Sequence, residues 1–182
     1  MQQRPNSTSP YTEAELDEAF RHYWQTGCVN EDWNAWADLF TPDVEYVEHQ
    51  LGNLRGREAV RDWILPLMEQ YGEIYTPYGW HTVDVERGRV VFAMTNRRDH
   101  PNGVDFIDFP GLSIIDYAGD GQWSRQEDYW AMPAGQKAYR TYEKALAELD
   151  PGHRARRTRR DWGGGPDWTI GLPQHPAGTP RI

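Results

Sequence analysis

The chain has 182 residues, a formal net charge of −9, nine Trp, ten Tyr and one Cys. That length suits one domain burying most of its apolar surface and is short for two, and no apolar run approaches the roughly 20 residues of a membrane span. The acidic balance argues against nucleic acid as the main partner, because Lys and Arg contacts to phosphate supply most of that affinity.

Residues 1–11 are polar, with Pro5, Ser7, Ser9 and Pro10, and read as a disordered leader. They lack the apolar stretch of a secretory signal, so a cytoplasmic protein is expected. The domain is expected over 12–149. Thr12 with Glu15 forms a capping-box pattern, and Leu16, Ala19, Phe20, Tyr23 and Trp24 follow at the spacing of one apolar helix face, which turns Tyr23 inward. Cys28 follows; as the only cysteine it can form no intrachain disulfide and reads as inert packing. A second short helix is expected over 31–40, with Trp33, Trp36, Leu39 and Phe40 as its apolar residues and Thr41-Pro42-Asp43 ending it.

Val44, Tyr46 and Glu48 then share one face of a strand. A third helix carries Val60, Trp63, Ile64, Leu67, Met68 and Tyr71 on its buried side, with Pro66 as a break or kink. Four strands are expected over 78–86, 89–99, 104–117 and 122–132, joined by turns at Arg87-Gly88, Pro101-Asn102-Gly103 and Gly119-Asp120-Gly121. The alternation places His81 in phase with Val83 and Val85. Pro133 opens a last helix that Asp150-Pro151-Gly152 stops. The order is that of an α+β domain, a curved and mostly antiparallel sheet wrapped around helices, with a pocket beneath it.

Residues 150–182 are rich in Gly, Pro and Arg and read as an extended tail. Residues 151–182 hold six of the basic side chains and two of the acidic ones, so the body is acidic and the tail basic. The run His153–Arg160 is expected to be a solvated arm that docks on an acidic neighbouring subunit.

The segments Trp36–Tyr46, Arg55–Trp63, Trp80-His81-Thr82-Val83 and Gly119–Trp123 before Glu127-Asp128-Tyr129 together resemble the SnoaL-like branch of the nuclear transport factor 2-like superfamily. That resemblance implies a cone-shaped sheet around an internal pocket for a small apolar ligand, and commonly a homodimer paired through the outer sheet face, where Trp123 and Tyr129 are expected. It implies acid–base chemistry without a cofactor: isomerisation, dehydration or cyclisation of a cyclic, polyketide-like or steroid-like molecule. Glu48 stands where ketosteroid isomerases carry a carboxylate base; a carboxylate beside apolar walls has its charged form desolvated and becomes a better proton acceptor. Tyr23 falls near the first-helix tyrosine that polarises a substrate oxygen in isomerases and dehydratases. His81 resembles the dehydratases' third-strand histidine and is placed toward the pocket, and Asp128 lies where cyclases carry an acid–base aspartate. Ser113 takes the place of the cyclases' partner histidine.

The expected catalytic residues are therefore Tyr23, Glu48, His81 and Asp128. Trp36, Tyr46, Trp63, Phe92, Phe106 and Ser113 are the expected substrate-binding residues. No metal site is expected: His49 and the pair Asp99-His100 lack recognisable ligand spacing. Two other readings stay open, a binding module of the same fold without catalysis and an assembly role through the open sheet face.

Overall fold

The computed structural model describes residues 9–160 apart from Leu51. Positions 1–8 of the leader and 161–182 of the tail lie outside the described residues. Tyr11, at the end of that leader, packs edge-on against Tyr117 with ring centroids 5.0 Å apart.

Helix α1 (Glu13–Trp24) starts where Thr12 accepts from the Glu15 amide at 3.1 Å, a cap worth about 1 kcal/mol. It buries Leu16, Ala19, Phe20, Tyr23 and Trp24, the apolar stripe the spacing predicts. Instead of stopping at Gly27, the chain winds on through a π-helical turn (Gln25–Val29). A Cβ at Gly27 would come within 2.4 Å of Trp36 Cδ1, so only glycine lets that indole lie against the turn.

Helix α2 (Trp33–Asp38), capped by Asp32, is shorter than expected, because Phe40 already belongs to strand β1 (Phe40–Glu48). Thr41-Pro42-Asp43 bulges within that strand rather than forming a separate turn. Strand β2 (Gly52–Arg55) leads into α3 (Arg57–Gln70), which runs through Pro66; the proline sits on its exposed side and no break follows. Strands β3 (Tyr78–Asp84), β4 (Arg89–Asp99), β5 (Phe106–Gly119) and β6 (Gln122–Trp130) form the meander, and α4 (Met132–Leu149) follows it.

The six strands make one sheet in the order β2-β1-β6-β5-β4-β3, antiparallel except where β1 pairs with β6 in parallel. It is not closed into a barrel. The parallel pairing sets the site, because it puts Glu48 beside Asp128 and Tyr46 beside Gln126. Register then carries a row across the sheet: Glu48, Asp128, Ser113, Phe92 and His81.

Alternation also fails within β6. Asp116 pairs with Arg125 but Tyr117 with Trp123, so β6 has an extra residue, Ser124, and its phase flips. Trp123 is therefore fully buried in the core and not on the outer face, while Tyr129 is 45% exposed.

The basic segment is not a free arm over its described part. A short helical turn, α5 (His153–Arg156), carries it back onto its own body. Arg159 is fully buried, 3.4 Å from Glu31, and also donates to the Gly72 carbonyl. Arg160 N donates to Asp99 Oδ2 at 2.8 Å. The physical reason is charge: Glu31, Glu73 and Asp99 are buried carboxylates of the acidic body, and the arginines of one's own chain are the nearest cations. No described helix is long and apolar enough to cross a membrane.

Candidate active site

Beneath the sheet lies a cavity of about 550 Å³. Its middle is apolar, walled by Trp36, Trp63, Ile64, Leu67, Phe92 and Met94. Trp130 also lines it and packs against Gly111, where a Cβ would come within 2.2 Å of the ring. Cys28 also lines the cavity; burial pushes its thiol far above the ordinary range, so it is an unreactive wall residue.

Four buried polar groups converge at the end formed by β1 and β6. Tyr23, Tyr46, Glu48 and Asp128 are each at most 4% exposed, and all four reach the cavity. Asp128 Oδ2 accepts from the Tyr46 hydroxyl at 2.5 Å. Its Oδ1 accepts from Ser113 Oγ at 2.6 Å and from Gln126 Nε2 at 2.9 Å. The carboxylate thus fixes the Gln126 amide, since only its NH₂ end can face an acceptor-only group. The same NH₂ donates to Tyr46 Oη at 2.9 Å, and Gln126 Oε1 accepts from the Tyr23 hydroxyl at 2.7 Å. The proton order is therefore Tyr23 to Gln126 to Tyr46 to Asp128.

Burial raises the Asp128 pKa above the ordinary aspartate value, and the neighbouring Glu48 charge adds to the rise; the bonds from Ser113, Tyr46 and Gln126 pull the other way. Burial likewise holds Tyr23 and Tyr46 well above the usual phenol range, so both remain donors. Glu48 Oε2 accepts from the Gln50 amide at 3.0 Å. What results is a desolvated carboxylate with fixed orientation at the head of an apolar cavity, an arrangement suited to taking a proton from a bound molecule.

Of the expected catalytic residues, Tyr23, Glu48 and Asp128 come together and His81 does not. The phase assigned to His81 is correct, since it pairs with Phe92 on the same row. Helix α1 covers that end of the sheet, however. The Phe20 ring lies 4.4 Å from the imidazole, whose Nε2 is 2.8 Å from Asp17 Oδ1 and whose Nδ1 is 2.7 Å from Tyr78 Oη. His81 opens on a separate surface cleft with Glu13 and Asp17.

Of the expected substrate-binding residues, Trp36, Tyr46, Trp63 and Phe92 line the cavity. Ser113 stands behind Asp128 as a donor and does not line it. Phe106 is on the outside, 37% exposed, with the Arg97 and Arg160 guanidiniums 4.4 and 4.8 Å from its ring centroid. Gln126, which organises the whole cluster, is the residue sequence reasoning missed; it sits two positions before Asp128 and so on its face.

The residues weighed for metal have other partners. His49 Nε2 is 2.9 Å from Glu127, and Asp99 Oδ1 accepts from Tyr75 at 2.7 Å. Among the described residues no three His, Cys, Asp or Glu side chains cluster as ligands.

A family model described as SnoaL-like domain matches residues 16–126, more than half of the chain. No curated protein matches. Among solved structures, a candidate SnoaL-like polyketide cyclase from Jannaschia sp. CCS1 is 20% identical, with a TM-score of 0.56 over 76% of this chain and 96% of its own. TerC, co-crystallized with polyporic acid, is 17% identical, with a TM-score of 0.56 over 69% of this chain and 98% of its own. An LEH-like epoxide hydrolase of M. tuberculosis is 16% identical, with a TM-score of 0.52 over 75% of this chain and 95% of its own. At such identities the likeness concerns the fold.

Proposed function

The chain belongs to the SnoaL-like domain family, and from that premise we propose that it catalyses proton transfer on a small, largely apolar cyclic molecule held in the cavity, with Asp128 as the general base. The observation that carries this reading is that Asp128 is buried at the head of an apolar cavity with three donors orienting its two oxygens. Those bonds hold the carboxylate still, while burial raises its proton affinity toward what a base working near neutrality requires.

The reaction class is enolisation. Asp128 takes a proton from a carbon next to a carbonyl, and the developing enolate either regains that proton at another carbon or adds to a second carbonyl of the same molecule, closing a ring whose new alkoxide takes the proton back from Asp128. Tyr46 donates to Asp128 and Tyr23 to Gln126, so the two phenols orient the base; neither is a free donor waiting for a substrate oxygen. Glu48, adjacent in register, is the second carboxylate at the reacting end. Its charge adds to the rise in the proton affinity of Asp128.

The test is hydrogen–deuterium exchange in D₂O at carbons next to a carbonyl, read by mass spectrometry over a panel of cyclic ketones and β-keto esters. Exchange that depends on the protein and disappears in Asp128→Asn supports the reading. Exchange by the Asp128→Asn variant at the wild-type rate removes Asp128 as the base.

A further inference from the structure

The end of the cavity opposite Asp128 has unspent polar capacity. Phe92, Met94 and Asn96 alternate along β4 and line the cavity in succession, and Phe92 stands on the Asp128 row. Asn96 is therefore four strand residues away, roughly 13 Å. Tyr75 pairs with Arg97, which brings Thr76 to the same place. Asn96 also pairs with Phe109, against which Gly135 of α4 packs, so Gln136 and Arg140, one helical turn apart, stand over this end.

Thr76, Asn96, Gln136 and Arg140 all line the cavity. The contrast with Arg98, the other arginine on the lining, is informative: Arg98 is buried and ion-paired with Glu73 at 3.1 Å, whereas Arg140 sits exposed at the rim with no carboxylate in ion-pair range among the described residues. A cavity with carboxylates at one end and a free guanidinium at the other has a direction. An anionic group on a ligand is repelled from Glu48 and Asp128 and drawn to Arg140.

Resting on the reading of Asp128 as the base, we propose that the substrate is an elongated amphiphile: a mostly apolar body whose reacting carbon meets Asp128 and whose far end carries an anionic oxygen group, a carboxylate or acidic enol, bound by Arg140 with Asn96, Thr76 and Gln136 around it. Arg140 is then the residue that sets which way round the molecule enters.

Two naphthalene probes separate this from a merely greasy cavity. 1-Anilinonaphthalene-8-sulfonate and N-phenyl-1-naphthylamine differ only in the sulfonate, and both brighten when bound in apolar surroundings. Their fluorescence titrations are compared for the wild type, Arg140→Gln and Lys137→Gln, the last removing a nearby charge that does not line the cavity. The wild type is expected to favour the sulfonate. Arg140→Gln should weaken the sulfonate by about 5-fold and leave the neutral probe unchanged, with Lys137→Gln altering neither. Equal loss for both probes, an equal loss in Lys137→Gln, or no loss in Arg140→Gln would overturn the role of Arg140. Failure of both probes to bind at all would overturn both this inference and the cavity reading beneath it. Loss of Asp128 as the base shows instead in the deuterium exchange, so the two failures are distinguishable.

Discussion

The Tyr46 hydroxyl donates to Oδ2 of Asp128 at 2.5 Å, across the one parallel strand pairing in the sheet. Tyr46→Phe keeps the ring and removes that donor from a buried carboxylate. The expected cost is about 1–3 kcal/mol, measured by chemical denaturation near neutral pH. Because that bond lowers the Asp128 pKa, its loss should also move the acid limb of any pH–rate profile to higher pH.

His81→Ala and Asp128→Asn should part company. Asp128→Asn removes the proposed base and should reduce deuterium exchange by about 100-fold or more. His81 faces Asp17 and Tyr78 outside the cavity, so His81→Ala should change exchange by less than about 3-fold. Similar large losses in both would mean that His81 reaches the substrate after all.

Tyr23→Phe should fall between these. It removes the bond that holds Gln126 Oε1, so the amide loses part of its orientation while its NH₂ can still reach Asp128. A rate loss of about 10-fold is expected, smaller than that of an oxyanion donor. Kinetics of the single variants and of the double variant with Asp128→Asn check it; Tyr23→Phe should add nothing once Asp128 is gone.

Two carboxylates should give the stability–pH curve opposite slopes. Asp128 is raised in the fold, so its contribution is fully present below the ordinary aspartate pKa of 3.8 and is lost as pH rises through the folded value. Glu127 is lowered to about 2 by Tyr129, Arg125 and His49, so its contribution is present above 4.5 and is lost as pH falls toward 2. Thermal midpoints from pH 2 to 8 should therefore show Asp128→Asn flattening the decline on the rising side and Glu127→Gln flattening the acid limb.

The reach of the sequence differed between elements for identifiable reasons. Periodicity turns Tyr23 inward and puts Tyr46 and Glu48 on one strand face, because each lies in a regular stretch whose face is set by its immediate neighbours, whereas Asp128 is legible only through the family resemblance. His81 shows the limit: its phase was legible, but which helix lies over which end of the sheet depends on packing between distant segments. Trp123 was misplaced because the Ser124 bulge leaves no local signature. Gln126 was legible in principle from its spacing to Asp128, but an amide carries no chemistry that singles it out.

The docked tail illustrates the same limit. Arg159 and Glu31 are 128 positions apart and both buried, a pairing no local pattern announces. Arg159→Ala should destabilise the protein by about 3–5 kcal/mol by removing a buried cation from beside Glu31, and the double variant Arg159→Met with Glu31→Leu should recover most of it. Denaturation midpoints of the three variants check this.

The protonation of Asp128 itself is the most direct test of the central claim. Carbon-13 labelling of the aspartate carboxyls, with Asp128→Asn to assign its resonance, allows its titration to be followed by NMR with and without bound N-phenyl-1-naphthylamine. The expected result is a carboxyl that titrates above 3.8 and whose chemical shift moves when the probe occupies the cavity. A resonance that titrates at or below 3.8 and ignores the probe would contradict the assignment of Asp128 as the cavity's base.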